Sequence, residues 1–142
     1  MSIWLIVLLL IGVLLMAAFY SLFISNVGLH YKTTIEGKEE TLTVRINSWL
    51  SKLLPSFGIV IDEIIHLDAT TANAMGYMLA HEWKHVLQQR EIGSYKFLFK
   101  YLTSKKFKKE KEAEAHQYGE DHQYDPAFQN FKDFLKNNTK KR

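Results

Sequence analysis

Residues 75–92 read MGYMLAHEWKHVLQQREI, and the pentad inside them, His81-Glu82-Trp83-Lys84-His85, decides how the remaining chain is read. Side chains four apart in a helix share a face, so His81 and His85 point the same way. Two imidazoles at that spacing can grip one divalent ion. Glu82 lies between them, close enough to act on a water at that ion. Met75, Leu79 and Val86 recur on neighbouring turns, which predicts a partly buried helix with its histidine face turned inward. Gly93 stops it, and Gly76 lets another backbone approach closely.

The residues before this helix supply a scaffold. Ile59-Val60-Ile61-Asp62-Glu63-Ile64-Ile65-His66-Leu67 is rich in β-branched side chains and predicts a strand. Thr41-Leu42-Thr43-Val44-Arg45-Ile46 alternates polar and apolar, the pattern of a half-buried strand. Asn47-Ser48 offers an N-cap to a short helix over 49–54, ended by Pro55 and Gly58. Thr70, Thr71 and Asn73 offer caps to the pentad helix. A strand followed by a helix bearing HExxH is the context in which such a pentad carries chemistry.

Downstream, Ser94 caps a helix running through Thr103, with Phe97, Leu98, Tyr101 and Leu102 as its apolar stripe. Another helix is predicted over 108–120. Asp125-Pro126 starts a last one that runs to about residue 136, turning Phe128, Phe131, Phe134 and Leu135 to the core. Residues 138–142 form a basic tail. Upstream, residues 3–24 are an uncharged apolar run, long enough for a hydrocarbon core about 30 Å thick. With no basic residue before it, the run reads as an uncleaved transmembrane anchor over 1–25, Trp4 and Tyr20 near the interfaces. Lys32, Lys38 and Arg45 follow it and favour a cytoplasmic C-terminal domain in a single-pass membrane protein. Residues 26–40 read as a polar connector to a domain over 41–137.

At 142 residues, the chain holds one modest domain and an appendage. It has no cysteine, which excludes disulfides and thiolate metal sites, so any metal must use His, Asp or Glu. The net charge of +3 is local in origin: Lys96, Lys100, Lys105, Lys106, Lys108, Lys109 and Lys111 crowd one segment. They read as a solvated face or as a contact for anionic lipid headgroups. No nucleic acid is expected as partner, because the run lacks arginine and no recognised motif accompanies it.

A catalytic zinc site needs a third protein ligand and keeps one position open. Glu110, Glu112, Glu114, His116, Glu120, Asp121 and His122 are candidates. Within Glu112-Ala113-Glu114-Ala115-His116, the small Ala113 and Ala115 allow tight helix packing. HEWKHVLQQ followed by EAEAH resembles the gluzincin metallopeptidases, in particular membrane-associated branches whose second motif reads ExxA and then an acidic residue. The resemblance implies Zn²⁺ held by His81, His85 and Glu112, with Ala115 matching the small residue. It implies peptide-bond hydrolysis by a zinc-activated water, with Glu82 as general base, and a protein or peptide substrate laid beside the 59–67 strand.

The family's acidic position falls on His116, a departure; His116 can hydrogen-bond a ligand or take the metal itself, and Glu114 is the other alternative. Tyr118, His122 and Tyr124 are available to steady a developing oxyanion, whereas His30 and His66 read as non-ligands. The expected fold is therefore α+β: an N-terminal transmembrane helix, then a small, mostly helical zincin-like domain with a short β-sheet. The expected function is that of a membrane-anchored zinc metallopeptidase. The alternative is a non-catalytic, membrane-tethered structural or adaptor domain with a zinc-stabilised gluzincin-like fold. A chain this short leaves little for a second lobe, so the cleft would be shallow or completed by a protein partner, which favours the alternative; retention of Glu82 favours the enzyme.

Overall fold

Four strands make one layer of the fold: β1 (Leu29–Ile35), β2 (Lys38–Ile46), β3 (Gly58–Ile61) and β4 (Ile64–Leu67). They belong to a computed structural model that describes residues 2–23, 28–46, 58–67 and 75–139. The order is β1-β2-β4-β3, with β1 and β3 at the edges. β1 pairs antiparallel with β2, β2 parallel with β4, and β4 antiparallel with β3. The β1–β2 turn puts Glu36 and Gly37 at φ 50° and 79°, the left-handed pair that a tight hairpin demands.

The helices are α1 (Ile3–Phe23), α2 (Met75–Ile92), α3 (Ser94–Thr103), α4 (Lys105–His122), α5 (Pro126–Gln129) and α6 (Phe131–Thr139). The sheet turns Tyr31, Leu42, Val44, Val60, Ile65 and Leu67 into a core that α2 closes with Met75, Leu79, Trp83 and Val86. Phe128 and Phe131 complete it, both fully buried, each contributing about 1.5–3 kcal/mol by leaving water. Tyr31 packs edge-on against Phe131 and donates its hydroxyl to the Ala127 carbonyl at 2.7 Å. Gly76 seats the α4–α5 turn: a Cβ there would stand 2.4 Å from the Gln123 carbonyl oxygen.

Several expectations are corrected. Among the described residues no helix is long and apolar enough to cross a membrane. Helix α1 forms over Ile3–Phe23 but does not meet that requirement. The N-terminal transmembrane helix and the single-pass membrane localisation are therefore withdrawn.

Residues 59–67 are two strands, not one. Asp62 and Glu63 turn the chain at φ 49° and 62°. Partners from α2 hold that turn: the Glu63 amide donates to Gln89 Oε1 at 3.1 Å, and Arg90 Nε lies 2.5 Å from the Glu63 carboxylate. No local Asn-Gly signal marks such a turn, so sequence alone does not show it. Most of the expected connector, 26–40, is β1 and the start of β2. Gly93, at φ 98°, is the N-cap of α3 in place of Ser94. Helix α4 starts earlier than expected because Ser104 caps it, its hydroxyl accepting from the Phe107 amide at 3.2 Å. The expected last helix breaks at Asn130 into α5 and α6. The helix expected over 49–54, the caps at Thr70, Thr71 and Asn73, the Tyr20 side chain and residues 140–142 lie outside the described residues.

Candidate metal centre

Helices α2 and α4 touch where α4 is smallest. Ala115 and Gly119 are its buried residues, and a Cβ on Gly119 would stand 2.8 Å from the Tyr77 ring. Ala113, expected to share this packing, faces solvent. One turn before Ala115, the same face of α4 presents Glu112 to α2. Its Oε2 lies 3.3 Å from His81 Nε2 and its Oε1 lies 3.2 Å from His85 Nε2. His81, His85 and Glu112 thus offer three ligand atoms within 4.8 Å of one another, a group that could hold a metal ion.

The spacing suits such an ion. Two ligands each about 2.0–2.2 Å from a tetrahedral centre stand roughly 3.3–3.6 Å apart, close to the two nitrogen–oxygen separations observed. Tyr101 of α3 donates its hydroxyl to Glu112 Oε1 at 2.5 Å. Burial alone would raise the Glu112 pKa, but hydrogen bonds from His81, His85 and Tyr101 outweigh it and hold the carboxyl well below the usual range. The carboxylate form is the one that ligates metals.

Glu82 faces a different neighbour. It leaves α2 one position after His81 and meets β3, where a Cβ on Gly58 would stand 2.6 Å from its Oε1. Gln89 fastens β3 there, its amide donating to the Val60 carbonyl at 2.9 Å. Glu82 is 3 % exposed, and its Oε2 has no hydrogen-bond partner among the described residues. Burial pushes its pKa up from 4.5 to about 7, although both pentad histidines pull it down. A carboxyl poised near neutrality is suited to taking and returning a proton.

A cavity of about 270 Å³ opens over this group. Its polar lining is Glu82, Glu112, His81, His85, Tyr77 and Tyr101; its remaining wall is apolar, from β3, Met78 and the Phe97, Leu98 and Leu102 side chains of α3. The expected apolar stripe of α3 thus lines the cavity.

The other expected residues stand elsewhere. Glu114 bonds Gln88 and Lys111. His116 is exposed, with Nδ1 on the Tyr77 hydroxyl and Nε2 3.1 Å from Glu120. Tyr118 stacks on His122 and donates to Glu36 at 3.4 Å, while His122 Nδ1 holds Asp125 at 2.7 Å; neither lines the cavity. Tyr124 is exposed. His30 lies on Thr43 of the neighbouring strand, and His66 is buried in β4, its pKa lowered to about 4 by burial and then by Arg45. Tyr77 and Gln88 have no part in the sequence reading, and Tyr101 enters it only on the apolar stripe of α3. Tyr77 precedes His81 by one turn and Gln88 follows His85 by three residues, spacings that mark neighbours on α2; nothing local marks Tyr101.

No family model, curated protein or solved structure matches the chain.

Proposed function

We propose that this chain is a gluzincin-type zinc metallopeptidase that hydrolyses peptide bonds in protein or peptide substrates. His81, His85 and Glu112 are the ligands of the ion and Glu82 is the general base. The observation that supports catalysis most is the Glu82 carboxyl, buried beside the ligand group with Oε2 unpartnered among the described residues. A purely structural metal site has no use for such a group, and burying it costs stability.

When bound, a divalent ion of this kind supplies Lewis acidity to a water and to the scissile carbonyl. The chain supplies the rest. Glu82 takes a proton onto its carboxylate from the attacking water and delivers it to the leaving amine. Tyr101 steadies Glu112. β3, an edge strand bordering the cavity, offers an extended peptide a place to add as a further strand. The apolar wall from α3 and Met78 then receives an apolar substrate side chain.

The test uses the purified full chain with one equivalent of zinc and a denatured, fluorescently labelled protein as substrate. Wild type is expected to cleave it, to stop when a chelator is added and to resume with zinc. Glu82→Gln is expected to retain the zinc and to lose about 10²–10⁴-fold in kcat. Undiminished cleavage by Glu82→Gln removes the general-base role. Stoichiometric zinc without any cleavage favours the non-catalytic, metal-stabilised domain.

A further inference from the structure

We infer that Gln88 is the positioning residue that presents His85 Nε2 to the metal, and that it does so with a neutral amide tied to the helix carrying Glu112. The inference rests on the metal site proposed above and adds a member to it. Gln88 is buried three residues after His85 on α2. Its Oε1 lies 2.8 Å from His85 Nδ1. Its Nε2 lies 2.9 Å from Glu114 Oε2 and 3.2 Å from the Lys111 carbonyl oxygen.

Those two α4 partners only accept hydrogen bonds, so the amide nitrogen must face them and the amide oxygen must face His85. An amide oxygen donates nothing. His85 Nδ1 therefore carries a hydrogen, and Nε2, which faces Glu112 at 3.2 Å, is the nitrogen left to ligate an ion once its own proton is displaced. Flipping the amide would set its oxygen against a carboxylate and a carbonyl while turning its N–H groups on the imidazole. Lys111 Nζ holds Glu114 at 3.0 and 3.3 Å, so the far end of the relay is itself anchored.

This arrangement differs from an acidic residue on the second helix. The position where such a residue would fall is His116, which is engaged with Tyr77 and Glu120 instead. In this chain the orienting acceptor sits on the pentad helix and the acid stands one step behind it. An amide raises the basicity of the imidazole less than a carboxylate would, so the site is tuned below the affinity its geometry allows.

Zinc affinity by competition with a chromophoric chelator tests this on the full chain without reference to turnover. Gln88→Leu, close in size but without an acceptor, is expected to weaken zinc binding about 10- to 100-fold. Gln88→Glu, which restores the acceptor as a charge, is expected to bind zinc at least as tightly as wild type. Nitrogen-15 spectra of zinc-loaded wild type are expected to show His85 ligating through Nε2 with Nδ1 protonated, a readout that survives if a variant fails to fold. The inference is overturned if Gln88→Leu binds within twofold of wild type, if Gln88→Glu is weakened as much as Gln88→Leu, or if His85 ligates through Nδ1. Wild type that takes up no zinc overturns the metal site and this inference together; the preceding outcomes overturn the inference alone.

Discussion

The Glu82 carboxyl is nearly sealed between α2 and β3, and its pKa stands at about 7 against an ordinary 4.5. In the metal-free chain that shift is a stability statement. Folded protein binds this proton more tightly than unfolded protein, so the contribution of Glu82 falls as pH rises from 4.5 to about 7 and stays low above that. Glu82→Gln removes the effect. The metal-free variant is expected to match wild type near pH 4 and to exceed it by about 1–3 kcal/mol at pH 8, measured by urea denaturation. A gain of similar size at both pH values would mean that Glu82 is not ionised against its burial. A residue that weakens the fold where it is charged, yet stands beside His81 and His85, is what the proposed role as general base predicts. Its place in the pentad was legible in the sequence, because HExxH sets it one residue after His81 and three before His85. Its burial against Gly58 was not, because that depends on where β3 lies.

Helix α2 is the element on which the others are assembled, and its reading from sequence held over most of its length: apolar residues on neighbouring turns, a stop at Gly93, a tight approach at Gly76. Strands were harder to read. The β3–β4 turn is imposed by Gln89 and Arg90 from α2, and tertiary partners leave no local trace. β1 is polar at alternate positions and three of its seven residues face water, so it read as a connector. β3 matters most for the site, because Gly58 leaves the space that Glu82 fills. Gly58→Ala would place a Cβ 2.6, 2.9 and 3.0 Å from Glu82 Oε1, Cδ and Cγ. That is too close for Glu82 to stay where it is. The variant is expected to lose about 10²-fold in kcat/KM while zinc affinity stays within twofold, since β3 contributes no ligand. Equal losses in both would mean that β3 supports the ligands and not the base.

At the scale of the whole molecule, the site is a clamp between two helices joined in sequence by α3. α2 brings His81, His85 and Glu82, α4 brings Glu112, and Gln88 with Glu114 ties the two together. The second helix was legible in the sequence, and the structure brings Glu112 of that helix beside His81 and His85, with Ala115 buried one turn on. The role of α1 was misjudged: composition favoured a membrane span, yet no helix among the described residues meets the length and apolarity that crossing requires. Because the proposed ligands come from two helices, removing Glu112 is expected to abolish binding that the pentad alone cannot sustain. The direct measurement is the number of zinc ions per full-length chain, counted by native mass spectrometry at micromolar zinc, for wild type and Glu112→Ala. One ion on wild type and none on Glu112→Ala is the predicted result; one ion on both, or none on wild type, contradicts it.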